Sequence, residues 1–145
     1  MFINAPIFYE NYPDTSKEAK LTRIVFTEID HNYVNPATNK FSEINEIMQP
    51  LECWNKGAQA YGNSYATFNE YITWVVFTLN LYDNFDTKIF NKHNKEEADF
   101  MQNGRGITRF HAFNNFVLNW YKKNQNKSLT ELYPVVVEWI KKQDC

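Results

Sequence analysis

The chain has almost no cysteine. Cys53 and Cys145 are the only two in 145 residues, and Cys145 is the last. No C-x-x-C spacing occurs, so a thiolate zinc site is excluded and no disulfide framework is expected. Glycine numbers only 4 and proline only 5, which argues against a turn-rich β fold and for long helices. Arginine is scarce, and 15 basic residues face 17 acidic ones for a net charge of −2. Nucleic acid is therefore not the expected partner, because phosphate neutralisation needs clustered Lys and Arg. Long apolar runs are missing too. The greasiest stretch, Trp74 to Tyr82, is interrupted by Thr78 and Asn80 and is too short to span a membrane. Met1 to Pro6 has neither a charged start nor a long apolar core, so it does not read as a signal peptide. There is no G-x-S-x-G and no phosphate-cradling glycine loop. Gly104-Arg105-Gly106 is short, and Arg105, Arg109 and the lysines at 122, 123, 141 and 142 read as solvated helix ends.

What the chain has is rings. Aromatics make up 17%, with 12 Phe, 9 Tyr and 4 Trp, so the core is expected to be built from them. The length suits one domain over residues 1–145, whether whole or part of a longer protein. A domain this size buries roughly two-thirds of its unfolded surface and needs no staples.

Helix signals dominate. Residues 1–14, with Pro6 and Pro13, look extended. Thr15-x-x-Glu18 is a capping-box pattern, and a helix is expected over 16–33, stopped by Asn35-Pro36. Phe41 to Cys53 reads as a second helix closing near Pro50. After a turn at Tyr61-Gly62-Asn63-Ser64, a third spans about 65–82. It is apolar nearly all round from Tyr71, which marks a central, buried helix. Residues 83–94 read as polar connection and 95–103 as a short helix. Ile107 to Lys123 is amphipathic, with Phe110, Phe113 and Val117 inward. Ser128-x-x-Glu131 is a second capping-box pattern, and Pro134 either kinks the last helix or sits in its first turn. The expected fold is all-α, with five to six helices.

One stretch carries chemistry. Thr27-Glu28-Ile29-Asp30-His31 has the outline of H-E-x-x-H, in which two histidines one turn apart hold zinc and the glutamate deprotonates the metal-bound water. Glu28 stands at the base position, His31 at the second ligand, and Thr27 where the first histidine belongs. Ile24, Thr27, Glu28 and His31 share one helix face. Glu70 lies at the rim of the buried third helix and needs a partner. Two histidines and a distant glutamate would leave a fourth zinc position for water. The bland reading of Glu28-x-x-His31 is a surface pair. Among the other histidines, His93 reads as solvated and His111 as a packing residue. A di-iron bundle needs a second Glu-x-x-His, which is absent.

Residues 20–36 and 65–82, with Tyr133-Pro134, resemble a family of bacterial zincin-type, gluzincin-like metallopeptidase-related proteins of unassigned function. Its members read His-Glu-Phe-x-His-x-Phe-Val-Asn-Pro at the zinc helix. The resemblance implies Glu28 as general base, His31 as a zinc ligand and Tyr33-Val34-Asn35-Pro36 as the motif's tail. It also implies Glu70, in Tyr65-x-x-x-Asn69-Glu70-Tyr71, as the third ligand. Thr27 departs from the pattern, since a hydroxyl is a poor zinc ligand beside imidazole and carboxylate. The expectation is a degenerate zinc-peptidase-like domain without peptidase activity, kept as a binding or structural module for a peptide or protein. Its zinc would be absent or weakly held. The alternatives are an active peptidase with a substitute ligand and a helical interaction domain with no metal site. On the first view Thr27, Glu28, His31 and Glu70 should converge.

Overall fold

The computed structural model describes residues 13–57 and 61–145; of the extended segment expected over residues 1–14, residues 1–12 lie outside them, and Asp14 already begins the first helix. The described residues form six α-helices and no strand: α1 (Asp14–Thr38), α2 (Ile44–Ile47), α3 (Ser64–Asn84), α4 (Thr87–Asp99), α5 (Phe110–Lys123) and α6 (Leu129–Lys141). No helix among them is long and apolar enough to cross a membrane.

The centre is α3. Every residue from Thr67 to Val75 is buried, and α1, α2, α4 and α5 all pack on this helix. Its all-round apolar sequence makes that placement favourable, because each face meets a neighbour rather than water. Asn63 caps it, its side chain accepting from the Ala66 amide at 2.8 Å. Rings fill the space around it. Tyr71 meets Phe113 at 5.1 Å and Trp54 at 6.1 Å, both edge-on, and Phe68 meets Tyr133 at 5.7 Å. The Tyr71 hydroxyl donates to the Trp54 carbonyl at 2.9 Å and accepts from the Arg109 amide at 3.2 Å, so its burial leaves no polar group unpaired.

Several boundaries differ from the sequence reading. α1 starts at Asp14, so Thr15 sits inside the helix and forms no capping box. The carbonyl of Pro13 takes the first amides, of Ser16 at 2.9 Å and Lys17 at 3.0 Å. α1 also continues through Pro36 to Thr38. Proline forfeits one helical bond, but Val34 and Thr38 are fully buried. The hydroxyls of Thr38 and Tyr133 both reach the Val34 carbonyl, at 3.0 and 3.1 Å. The expected helix over 41–53 is cut to Ile44–Ile47, with a separate 3-10 turn at Leu51–Cys53 beyond Pro50.

The largest correction is α4. Residues 87–94 are helical, capped by Asp86, whose carboxylate accepts from Lys88 and Ile89 amides at 2.9 Å each. Its buried residues are Phe90, His93, Glu97 and Ala98. Two of those four are polar, so the apolar period that announces a helix was broken. α4 runs into a wider π turn, Phe100–Gly104. The Ser128–Glu131 capping box is present, and Pro134 lies inside α6 past its first turn.

Asn63→Ala and Ser128→Ala should each lower stability by about 1 kcal/mol, since each leaves a helix amide without its cap. Urea unfolding of the two variants checks this; values indistinguishable from the parent chain would show that the caps are redundant.

Candidate functional site

α1 and α3 cross so that His31 and Glu70 meet. His31 Nε2 lies 3.5 Å from Glu70 Oε1, and His31 Nδ1 lies 3.4 Å from Thr73 Oγ1. His31 is part-exposed at the rim, with Glu70 and Thr73 buried beneath it. Glu70 has a second set of partners. Its Oε2 accepts from Arg105 Nη1 at 3.0 Å and from Trp74 Nε1 at 3.2 Å. Arg105 also donates to the Tyr61 hydroxyl and lies over two rings, 5.0 Å from the Tyr61 centroid and 5.5 Å from that of Trp74. Burial, and after it the Glu70 charge, push the Tyr61 phenol up. Stacking suits a guanidinium, which is planar and weakly hydrated.

A backbone device puts Arg105 there. The π turn ends with the Arg105 amide on the Phe100 carbonyl at 2.9 Å, and the Gly106 carbonyl takes the Lys56 amide at 2.8 Å. Gly106 has φ +74°, and a Cβ there would fall 2.6 Å from the Gly57 nitrogen. Only glycine allows that approach. The sequence reading of Arg105 as a solvated helix end is therefore corrected. The signal for it was the glycine on either side, which marks a tight turn rather than a helix terminus.

The other motif residues stand apart from this cluster. Glu28 is exposed and has no hydrogen bond or ion pair among the described residues. Thr27 donates to the carbonyl of Arg23, one turn back on its own helix, at 2.9 Å. His93 is not solvated but buried, with Nε2 2.7 Å from Ser16 Oγ. The polar sequence around it faces outward while it points to α1. His111 pairs with Asp99 at 2.9 Å on the surface. Neither histidine shares a bond with His31 or Glu70.

The residues present do not fit a zinc ion. Two ligands at about 2.0–2.1 Å from tetrahedral zinc sit roughly 3.3 Å apart, so the His31–Glu70 spacing alone is compatible. Among the described residues, however, no group of three or more His, Cys, Asp or Glu side chains could hold a metal. The guanidinium of Arg105 already neutralises Glu70, and a dication beside it would be repelled. A histidine backed by a carboxylate can move a proton, but Thr73, the hydroxyl beside it, is fully buried and out of a substrate's reach.

A second polar cluster ties α1 to α4. Buried Glu97 accepts from Lys20 and Arg23, both at 3.1 Å, and Glu96 takes Lys20 at 2.9 Å. Burial works against the Lys20 charge, but the two glutamates outweigh it and raise its pKa. Burial, and then the Lys20 charge, lower the pKa of His93 from 6.5.

The outer face of α1 is of another kind. Leu21, Val25, Ile29 and Tyr33 are exposed in an unbroken i, i+4 row and line, with Phe26 and Asp30, an open furrow of about 490 Å³. Asp30 is buried, its Oδ2 has no partner among the described residues, and burial pushes its carboxyl up to about 6.

Comparison with protein-family models, with curated proteins and with solved structures found no match. These comparisons show no relationship to zincins, and the resemblance rests on the motif residues alone.

Two outcomes follow. Arg105→Leu should cost about 3–5 kcal/mol, because it strands a buried carboxylate. Replacing both partners, as Glu70→Met with Arg105→Leu, should recover most of that loss. A double variant as unstable as the single one would refute the account. His93 sets a pH dependence. Its folded pKa is depressed, so its contribution is whole above pH 6.5 and is lost as pH falls through the folded value. Between about pH 7.5 and about pH 5.5 the parent chain should lose more stability than His93→Gln; parallel losses in urea unfolding would contradict this.

Proposed function

We propose that the chain is a binding module, without peptidase activity, built on the outline of a zinc-peptidase helix. The observation that carries this reading is the state of Glu70. A third zinc ligand would need a free carboxylate, whereas this one is bonded to Arg105 and Trp74. Thr27 supplies no donor in place of the missing imidazole, since its hydroxyl is turned to the α1 backbone. Glu28 then has no metal-bound water to deprotonate. The former centre works as a structural joint between α1, α3 and the Gly104–Gly106 turn. A peptide or protein segment is the natural ligand, given the apolar row that α1 leaves uncovered.

A helical interaction domain that never held a metal is the second reading, favoured by the same uncovered row. The two differ in what Thr27→His does. In a degenerate zinc site the new imidazole re-creates the i, i+4 pair with His31, and zinc should stabilise the variant but not the parent chain. At a hundred times its dissociation constant, zinc would add about 2.7 kcal/mol to the variant. No shift in the variant would favour the second reading. Thermal melts with and without zinc, beside a peptide-hydrolysis assay, make the comparison. Chelator-resistant zinc in the parent chain, or chelator-sensitive cleavage that disappears in Glu28→Gln, would overturn both readings.

A further inference from the structure

Cys53 and Cys145 are far apart in sequence and meet in the fold. Cys53 ends the 3-10 turn Leu51–Cys53 and is half-buried; Cys145 follows α6 and is exposed. The two thiols are hydrogen-bonded to each other. Arg109, at the head of α5, holds both sides of the pair. Its guanidinium lies 5.3 Å from the centroid of Trp54, the residue after Cys53. Its Nη2 donates to the Asp144 carbonyl and lies 3.7 Å from Cys145 Sγ. Cys53 and Arg109 line one open hollow of about 460 Å³ with Glu52, Lys56 and Thr108.

The two partners are held differently. The backbone around Cys53 is fixed on all sides. Its carbonyl accepts from the Thr108 hydroxyl, and the Trp54 carbonyl accepts from the Thr108 amide at 3.0 Å and the Tyr71 hydroxyl at 2.9 Å. Cys145 lies in backbone that belongs to no helix, so its side can adjust to the separation of about 2.05 Å that a sulfur–sulfur bond requires. A metal does not account for the pair. Among the described residues no third His, Cys, Asp or Glu side chain completes a metal-binding group with them.

We infer that Cys53 and Cys145 are a modification site, closing to a reversible internal disulfide by exchange with a low-molecular-weight disulfide. The exposed Cys145 attacks first as its thiolate, forms a mixed disulfide and displaces one small thiol. The Cys53 sulfur then attacks the Cys145 sulfur, and the second small thiol leaves. The protein pair gives up two electrons and two protons, and the small disulfide is reduced to two thiols. Burial, and after it the Cys53 bond, push the Cys145 thiol up, while Arg109 works against them and favours the thiolate that attacks. The closed bond would fasten the segment after α6 to the loop that carries Gly57. That is the loop against which Gly106, and so Arg105, is placed.

The test uses the full chain, equilibrated with reduced and oxidised glutathione at about pH 8, quenched in acid and digested without reductant. Mass spectrometry should find the chain lighter by two hydrogens and a peptide that joins Cys53 to Cys145. The ratio of internal disulfide to glutathione adducts should be at least about tenfold higher than in the same buffer with denaturing urea, since folding raises the concentration of one thiol at the other. Cys53→Ser should stop at a glutathione adduct on Cys145. Arg109→Leu should lower the yield of the internal bond several-fold while circular dichroism stays that of the parent. The oxidised parent should melt about 5–10 °C above the reduced one, because the link closes the long stretch between the two cysteines. Glutathione adducts on both cysteines, a disulfide joining two chains, or an internal bond as scarce in the folded chain as in urea would overturn the proposal. So would an oxidised chain that melts below the reduced one, since a bond that strains the fold is not one the fold prepares.

Discussion

A single buried carboxylate organises the centre of this domain. Glu70 sits on the one helix that touches most of the others, out of water, and a lone charge there would cost several kcal/mol. Its partners come from three directions: His31 from α1, Trp74 from its own helix, and Arg105 from the turn after α4. Arg105 reaches it only because Gly106 takes a positive φ against Gly57. The angle at which α1 meets α3, the wide turn that ends α4 and the loop at 56–57 are thus bound to one requirement, that Glu70 be satisfied.

The scarcity of arginine has a structural counterpart. All three arginines lie over tryptophan rings: Arg23 at 5.8 Å and Arg105 at 5.5 Å from the Trp74 centroid, and Arg109 at 5.3 Å from that of Trp54. Two of them also satisfy buried glutamates, Glu97 and Glu70. A lysine could carry the charge at such a place but not the flat stack and forked donors together. The lysines that pair near the chain's end, Lys127 and Lys141, do so with exposed carboxylates, where an ion pair contributes little.

The zinc-helix outline and the furrow lie on the same helix but on different faces. His31 and Thr27 belong to the face of α1 near α3, while Leu21, Val25, Ile29 and Tyr33 look outward. The inward face is closed by internal bonds. The outward face is left with apolar surface, and beneath it Asp30 Oδ2 is sealed from water without a partner among the described residues.

The sequence by itself determined the helical class, the central position of α3, the capping box that starts α6 and a core made of rings. Each of these follows from local pattern: apolar residues all round from Tyr71, Ser128 three residues before Glu131, few glycines and prolines. It also marked Glu70 as a buried acid in need of a partner. Only the tertiary structure decided who that partner is. Arg105 is 35 positions away, and what brings it there is a backbone turn against Gly57, which no periodicity records. α4 was hidden for a related reason. Its inner face is His93 and Glu97 as much as Phe90, and such residues look like surface until Ser16, Lys20 and Arg23 on α1 are packed against them. Hydrophobic pattern reports burial by apolar groups; burial of paired polar groups depends on which distant side chains arrive, and that is fixed only when the helices pack.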